Sequence, residues 1–160
     1  MALTPAQKAT LKAYILSDPV LGPKATGAGT DYQLVADALN ADANPVTKAW
    51  VTSVAIDAAD EAPDYSTFDS IQAGKRDSWD FFLRRSRDFS RNKVRKWITD
   101  VWGNSTAGSN SEAILLAGTE NAKRAEAVIG GTVRTTGTVS ALDRAFIGTF
   151  SAIDIGPILA

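Results

Sequence analysis

Between Ser90 and Gly103, apolar side chains fall at Val94, Trp97, Ile98, Val101 and Trp102. The spacing i, i+3, i+4, i+7, i+8 puts all five on one stripe of an α-helix. A half-buried strand, with its period of two, cannot place them on one face. So broad a stripe has to be covered by other elements, and a body of packed helices is the first expectation. Ser90 reads as the N-cap of this helix and Gly103-Asn104 as its stop.

Thr4-Pro5-Ala6-Gln7 has the form of a capping box with proline at the first helical position, and Leu11, Tyr14 and Ile15 share a face behind it until Pro19. Gly22 to Gly29 reads as a loop, without the Gly-Lys-Ser/Thr ending of a phosphate loop. Thr30-Asp31-Tyr32-Gln33 repeats the capping logic ahead of Leu34, Val35, Ala38 and Leu39, and Asn44-Pro45 breaks that helix. Val46 to Ile56 reads as extended and Asp57 to Asp64 as an acidic loop. A third helix is expected from Thr67 or Asp69 to about Ser86. A fifth opens at Ser109-Asn110-Ser111-Glu112 and closes at Gly130-Gly131. Thr132 to Val139, rich in β-branched residues, reads as a strand. Ser140-Ala141-Leu142-Asp143 reads as the cap of a short helix through Phe146, and Thr149 to Ala160 as an extended arm. The expected fold is therefore mainly α: a helical bundle of about five helices with a short β segment and an extended C-terminal arm. It divides into a helical body over 1–130 and a strand, short helix and arm over 131–160.

Two residue types are missing, and their absence bounds the chemistry. Without histidine the chain lacks the commonest general base at neutral pH and the commonest transition-metal ligand. Without cysteine it lacks a thiol nucleophile, a soft metal ligand and any disulfide. No enzyme, metal or cofactor is expected. No apolar run approaches the roughly 20 residues that span a bilayer, and no membrane partner is expected.

Charge, by contrast, is unevenly spread. The net charge is −1, yet Lys75 to Lys96 holds nine cations against Asp77, Asp80 and Asp88, a net of +6 that leaves −7 elsewhere. Arg84, Arg85, Arg87, Arg91, Lys93, Arg95 and Lys96 form the candidate contact surface. Such a cluster suits an acidic neighbouring subunit or DNA phosphates, or is the solvated polar face of two amphipathic helices. A second candidate is the arm, where Phe150, Ile153, Ile155, Ile158 and Leu159 suit an extended segment that docks on another chain, or a tail folded back on its own body.

Several short motifs follow one another in a telling order. Leu3-Thr4-Pro5-Ala6-Gln7 is followed by Ala38-Leu39-Asn40 and by Trp50-Val51-Thr52-Ser53-Val54. An Arg-rich helix then ends in Val101-Trp102-Gly103, and Ala122-Lys123-Arg124-Ala125-Glu126-Ala127 follows. From Leu3 to about Phe146 this order resembles a family of small virion structural proteins of tailed bacteriophages. Asp88-Phe89-Ser90 keeps only the serine of that family's usual Asn-Pro-Ser cap. A helical body with an extended arm is also similar to head-to-tail connector subunits of the phage neck, the adaptors beneath the portal. The resemblance implies a non-enzymatic subunit of a homo-oligomeric ring of about a dozen copies. It would be made in the host cytoplasm, reside in the virion, bind portal and tail proteins, and touch channel DNA non-specifically. A capsid-associated or tail-terminator protein would share these features, and a DNA-binding accessory protein is the alternative of a different kind.

Overall fold

A computed structural model describes residues 3–160. In chain order its elements are α1 (Pro5–Ser17), α2 (Leu21–Thr26), α3 (Tyr32–Asn40), β1 (Lys48–Trp50), α4 (Ile56–Glu61), a 3-10 helix (Tyr65–Ser70), α5 (Ala73–Phe82), α6 (Asn92–Trp102), α7 (Asn110–Ala117), β2 (Thr119–Asn121), α8 (Arg124–Ile129), β3 (Gly131–Thr136), β4 (Val139–Arg144) and α9 (Ala152–Leu159). Packing divides them into two compact units. The first takes the chain up to Thr47, Asn121–Thr132 and Arg144–Ala160; the second takes Lys48–Glu120 and Val133–Asp143.

The first unit is helical, and its starts follow from the caps. Thr4 Oγ1 accepts the N–H of Gln7 at 3.2 Å while Gln7 Oε1 accepts that of Thr4 at 2.9 Å. Asp31, not Thr30, caps α3 by accepting the Leu34 N–H at 3.0 Å. Behind these starts Leu11, Ile15, Leu21, Ala25, Val35, Leu39, Ala125, Phe146, Phe150, Ile155 and Ile158 form one core. A buried ion pair braces it. Glu126 meets Arg144 Nη1 at 3.0 Å and also accepts the N–H groups of Lys123 at 3.0 Å and Gly148 at 3.3 Å.

The second unit packs helices on a four-stranded mixed sheet of order β2-β1-β4-β3, in which β1 runs parallel to β4 with Ala49 opposite Leu142. Its core joins Trp50, Trp79, Phe82, Phe89, Ile98, Ile114, Leu115 and Val139. β3 and β4 make a hairpin through Gly137-Thr138. Gly137 has φ +57, as the first position of a II′ turn requires, and a Cβ there would lie 2.4 Å from that of Ser105. Thr138 bonds both Ser105 Oγ, at 3.1 Å, and the carboxylate of Glu112, which fastens the turn to the start of α7.

The expected mainly α bundle is overturned. Helix covers 53% and strand 14%, an α/β mixture with twice the expected number of helices. The third helix is a 3-10 turn and α5, separated at Ile71-Gln72, and the fifth is α7 and α8 with β2 between them. Gly22 to Gly29 and Asp57 to Asp64, read as loops, are largely taken up by α2 and α4. Ser140 to Asp143 lies in β4, not in a helix, because alternate Val139 and Ala141 are buried while Ser140 faces out.

The extended arm is overturned too. Ser151 and Asp154 form a capping box that starts α9. Ile155 and Ile158, three apart, then turn inward together, and Ile153 is left 87% exposed. Asn40 clamps Phe150 on both sides, accepting its N–H at 2.8 Å and donating to its carbonyl at 2.7 Å. Ile155→Ala should therefore cost about 2–5 kcal/mol. Ile153→Ala should change stability by under about 0.5 kcal/mol. Urea unfolding followed by far-UV circular dichroism distinguishes this pattern from a free arm, for which both substitutions would be neutral.

Candidate functional site: the basic surface of the second unit

The seven cations from Arg84 to Lys96 lie on two pieces of structure: the turn 83–91 that follows α5 and the first turns of α6. The turn is shaped by Asp88, whose Oδ1 accepts the N–H of Ser90 at 3.0 Å and its hydroxyl at 2.6 Å. Ser90 is thereby taken up by the turn and does not cap α6, which begins one residue later with no side-chain cap on Arg91.

Two of the seven belong to the core. Arg87 is 8% exposed; its Nε and Nη2 donate at 2.8 Å to the carbonyls of Phe82 and Phe81, the open C-terminal end of α5. Its guanidinium lies 5.0 Å from the ring centre of Phe82 and 4.8 Å from that of Trp97. Arg95 is 1% exposed and donates to the carbonyls of Phe89 and Ser90, both at 2.6 Å, and to Thr136 Oγ1 at 2.9 Å, over the Trp50 ring at 4.7 Å. Burial pushes both guanidinium pKa values down, helped by Arg85 for Arg87 and by Arg134 for Arg95. Both guanidinium groups nonetheless stay charged at neutral pH.

The other five are exposed. Arg84 stacks over Phe81, Arg91 pairs with Asp88 at 2.9 Å, and Lys96 pairs with Asp100 at 2.6 Å. Among the described residues, Arg85 and Lys93 have no ion-pair partner. Arg91 and Lys93 are shared by two clefts. One, of about 660 Å³, is also lined by Arg85, Trp97 and Asp100. The other, of about 710 Å³, lies between the start of α6 and β3, with Asn92, Val133, Arg134 and Thr135 along it. Residues 133–135 were not foreseen as part of this surface. They stand about 40 positions further along the chain, and only the hairpin brings them there.

The acidic counterpart in this unit is Asp57, Asp60, Glu61, Asp64 and Asp69, with no cation from 57 to 69. Hydrogen bonds from Ser66, the backbone N–H first, hold the Asp64 carboxyl below its usual range. Nearby, the Tyr65 hydroxyl donates to Asp60 at 2.5 Å and accepts Trp79 Nε1 at 2.8 Å. Burial, then the bond to Asp60, raises the Tyr65 pKa from 10.0 to about 12.

The second candidate, the C-terminal segment, does not form an open surface. Phe150, Ile155 and Ile158 are buried in the first unit and Leu159 is half-buried. Ile153 alone of the five stands out, beside a small cleft of about 240 Å³ that also involves Leu3, Lys8 and Asp154. No helix among the described residues is long and apolar enough to cross a membrane, and no group of three or more acidic residues among them is placed to hold a metal ion. Comparison with protein families, curated proteins and solved structures finds no match to this chain.

Replacing Arg95 by leucine would leave two buried carbonyls and a hydroxyl without donors, and should cost about 3 kcal/mol. Arg84→Leu should cost under about 0.5 kcal/mol. Chemical denaturation of the two variants checks the contrast. Tyr65 adds a pH signature. Its raised folded pKa makes a contribution that is complete below pH 10 and lost as pH rises through 12. The alkaline fall in stability should be shallower in Tyr65→Phe, as thermal melts from pH 9 to 12 would register.

Proposed function

We propose that this chain is a structural subunit that assembles with copies of itself, as the head-to-tail connector of a tailed bacteriophage does. The observation that carries the reading is the separation of charge within the second unit. Seven cations and one carboxylate occupy 84–96, whereas five carboxylates and no cation occupy 57–69. A subunit with a basic and an acidic surface is complementary to its own copy in a head-to-tail sense, and repeated contacts of that kind close into a ring. The ring would join portal to tail proteins in the virion neck. The order of short motifs from Leu3 to Phe146 supports the same reading.

The C-terminal segment takes no part, because its apolar residues other than Ile153 are packed within the first unit. Contact falls to the exposed Arg84, Arg85 and Lys96. Arg87 and Arg95 act one step back, by holding the turn that displays the others.

Charge reversal tests this. Sedimentation equilibrium of the purified chain should show a closed oligomer of about a dozen copies. The double variant Arg84→Glu, Arg85→Glu should melt at nearly the same temperature yet remain monomeric. Lys replacements at Asp57 and Asp60 in that variant should restore association. A wild type that is monomeric at micromolar concentration in low salt would sink the proposal. A monomer that binds duplex DNA, with affinity falling steeply as salt rises, would replace it with the DNA-binding reading.

A further inference from the structure

We infer that the cleft between β3 and the start of α6 is a docking site for an extended acidic segment of a different protein, which would add to the sheet as a fifth strand beside β3. The inference stands on this cleft alone and holds whether or not the chain forms rings.

The first observation is an open sheet edge. β3 is a terminal strand of the sheet, and all but one of its six residues are exposed, Val133 by 66%. Its register shows which backbone groups face out. The Thr135 and Ser140 hydroxyls meet at 2.7 Å, so these two residues sit opposite each other. The pair that closes the two-residue turn is then Thr136 and Val139, which exchange hydrogen bonds. Alternation along the ladder turns the N–H and C=O groups of Val133 and Thr135 to the outer edge. Such an edge is a template for another strand.

The second observation is what stands beside that edge. Arg91, Lys93 and Arg134 line the same cleft of about 710 Å³, and no carboxylate is among its lining residues. Arg134 is held by Asp143 at 3.6 Å and Arg91 by Asp88, but Lys93 has no ion-pair partner among the described residues. A strand laid along β3 would present alternate side chains, about 7 Å apart, to these cations. Carboxylates at alternate positions complement them.

The edge also decides between occupants. Nucleic acid would use the cations but leave the outward N–H and C=O groups of Val133 and Thr135 without the periodic partners that a peptide backbone supplies. A second copy of this chain is a poor donor. Its longest acidic stretch is already folded into α4 and the 3-10 helix, where its backbone is engaged. The occupant is therefore a separate polypeptide with an unfolded acidic segment.

A fluorescent ten-residue peptide of alternating glutamate and valine is the probe, with an alternating lysine and valine peptide as control. Anisotropy should show saturable binding of the acidic peptide alone, and amide hydrogen exchange should slow at Val133 and Thr135. Val133→Pro removes one outward donor but no hydrogen bond of the hairpin, a position where an edge strand accepts proline. It should weaken binding roughly tenfold, as should Lys93→Glu, with the fold checked by circular dichroism. Arg85→Glu, outside this cleft, should bind normally, which separates this site from the contact proposed for ring assembly. The inference fails if the acidic peptide does not bind, or if binding is indifferent to Val133→Pro in a folded variant. It also fails if a duplex oligonucleotide binds more tightly and is lost with Lys93→Glu alone.

Discussion

The second unit is organised by the buried guanidinium of Arg95. Taking a cation out of water costs several kcal/mol unless every donor finds an acceptor. Here the acceptors come from separate places in the chain: the carbonyls of Phe89 and Ser90, the hydroxyl of Thr136 and the face of Trp50. One side chain of α6 thus holds the turn that precedes it, the hairpin and β1. With two of the turn's carbonyls drawn inward at 89 and 90, Arg91 and, on the first turn of α6, Lys93 are left facing solvent. Arg87 does the same for the other end of the turn by closing α5. The basic surface is thus a consequence of two cations that are not themselves on it.

The first unit uses the opposite charge in a similar way. Glu126 is buried and gathers Arg144, Lys123 and Gly148 from both sides of a long gap in the sequence. Lys123 Nζ also reaches the carbonyl of Gly148 at 3.3 Å. The path from 144 to 148 is fixed by these bonds, and Asn40 fixes Phe150 two residues later. After that, α9 has little freedom except to lay Ile155 and Ile158 on α3. Apolar residues near a chain end need no second molecule when a buried charge and an amide have already led the segment home.

What the sequence revealed and what it concealed divide along the range of the interactions. The start of α1, the cap at Ser109 and the stop at Gly103 are decided within four residues and were legible. So was the stripe from Val94 to Trp102, whose members point inward as its period requires. Ser90 was misread because Asp88, two residues back, competes for its hydroxyl. The segment 149–160 was misread because alternation of Ile153 and Ile155 over three residues is too short to set a period. β4 was hidden because Ser140-Ala141-Leu142-Asp143 satisfies a local capping pattern, while its pairing with β3 and with β1, 93 residues away at Ala49 and Leu142, satisfies more backbone groups. As for the site, the cations were plain in the sequence. Which of them are structural was not, since the acceptors of Arg87 and Arg95 are backbone carbonyls, which every residue carries.

Whether the exposed cations merely solvate the fold turns on what surrounds them. Ion pairs such as Arg91 with Asp88 and Lys96 with Asp100 are exposed and worth at most about 1 kcal/mol each. They are too weak to hold these side chains against a better partner. Lys93 and Arg85 are not engaged even to that extent among the described residues. A bare sheet edge is hazardous for any protein, and charge beside it is one means of keeping strands away. Arg134 and Lys93 repel a basic strand and add nothing for a neutral one, but they do not guard against an acidic one. The protection that keeps this edge from pairing at random is thus also what makes it selective.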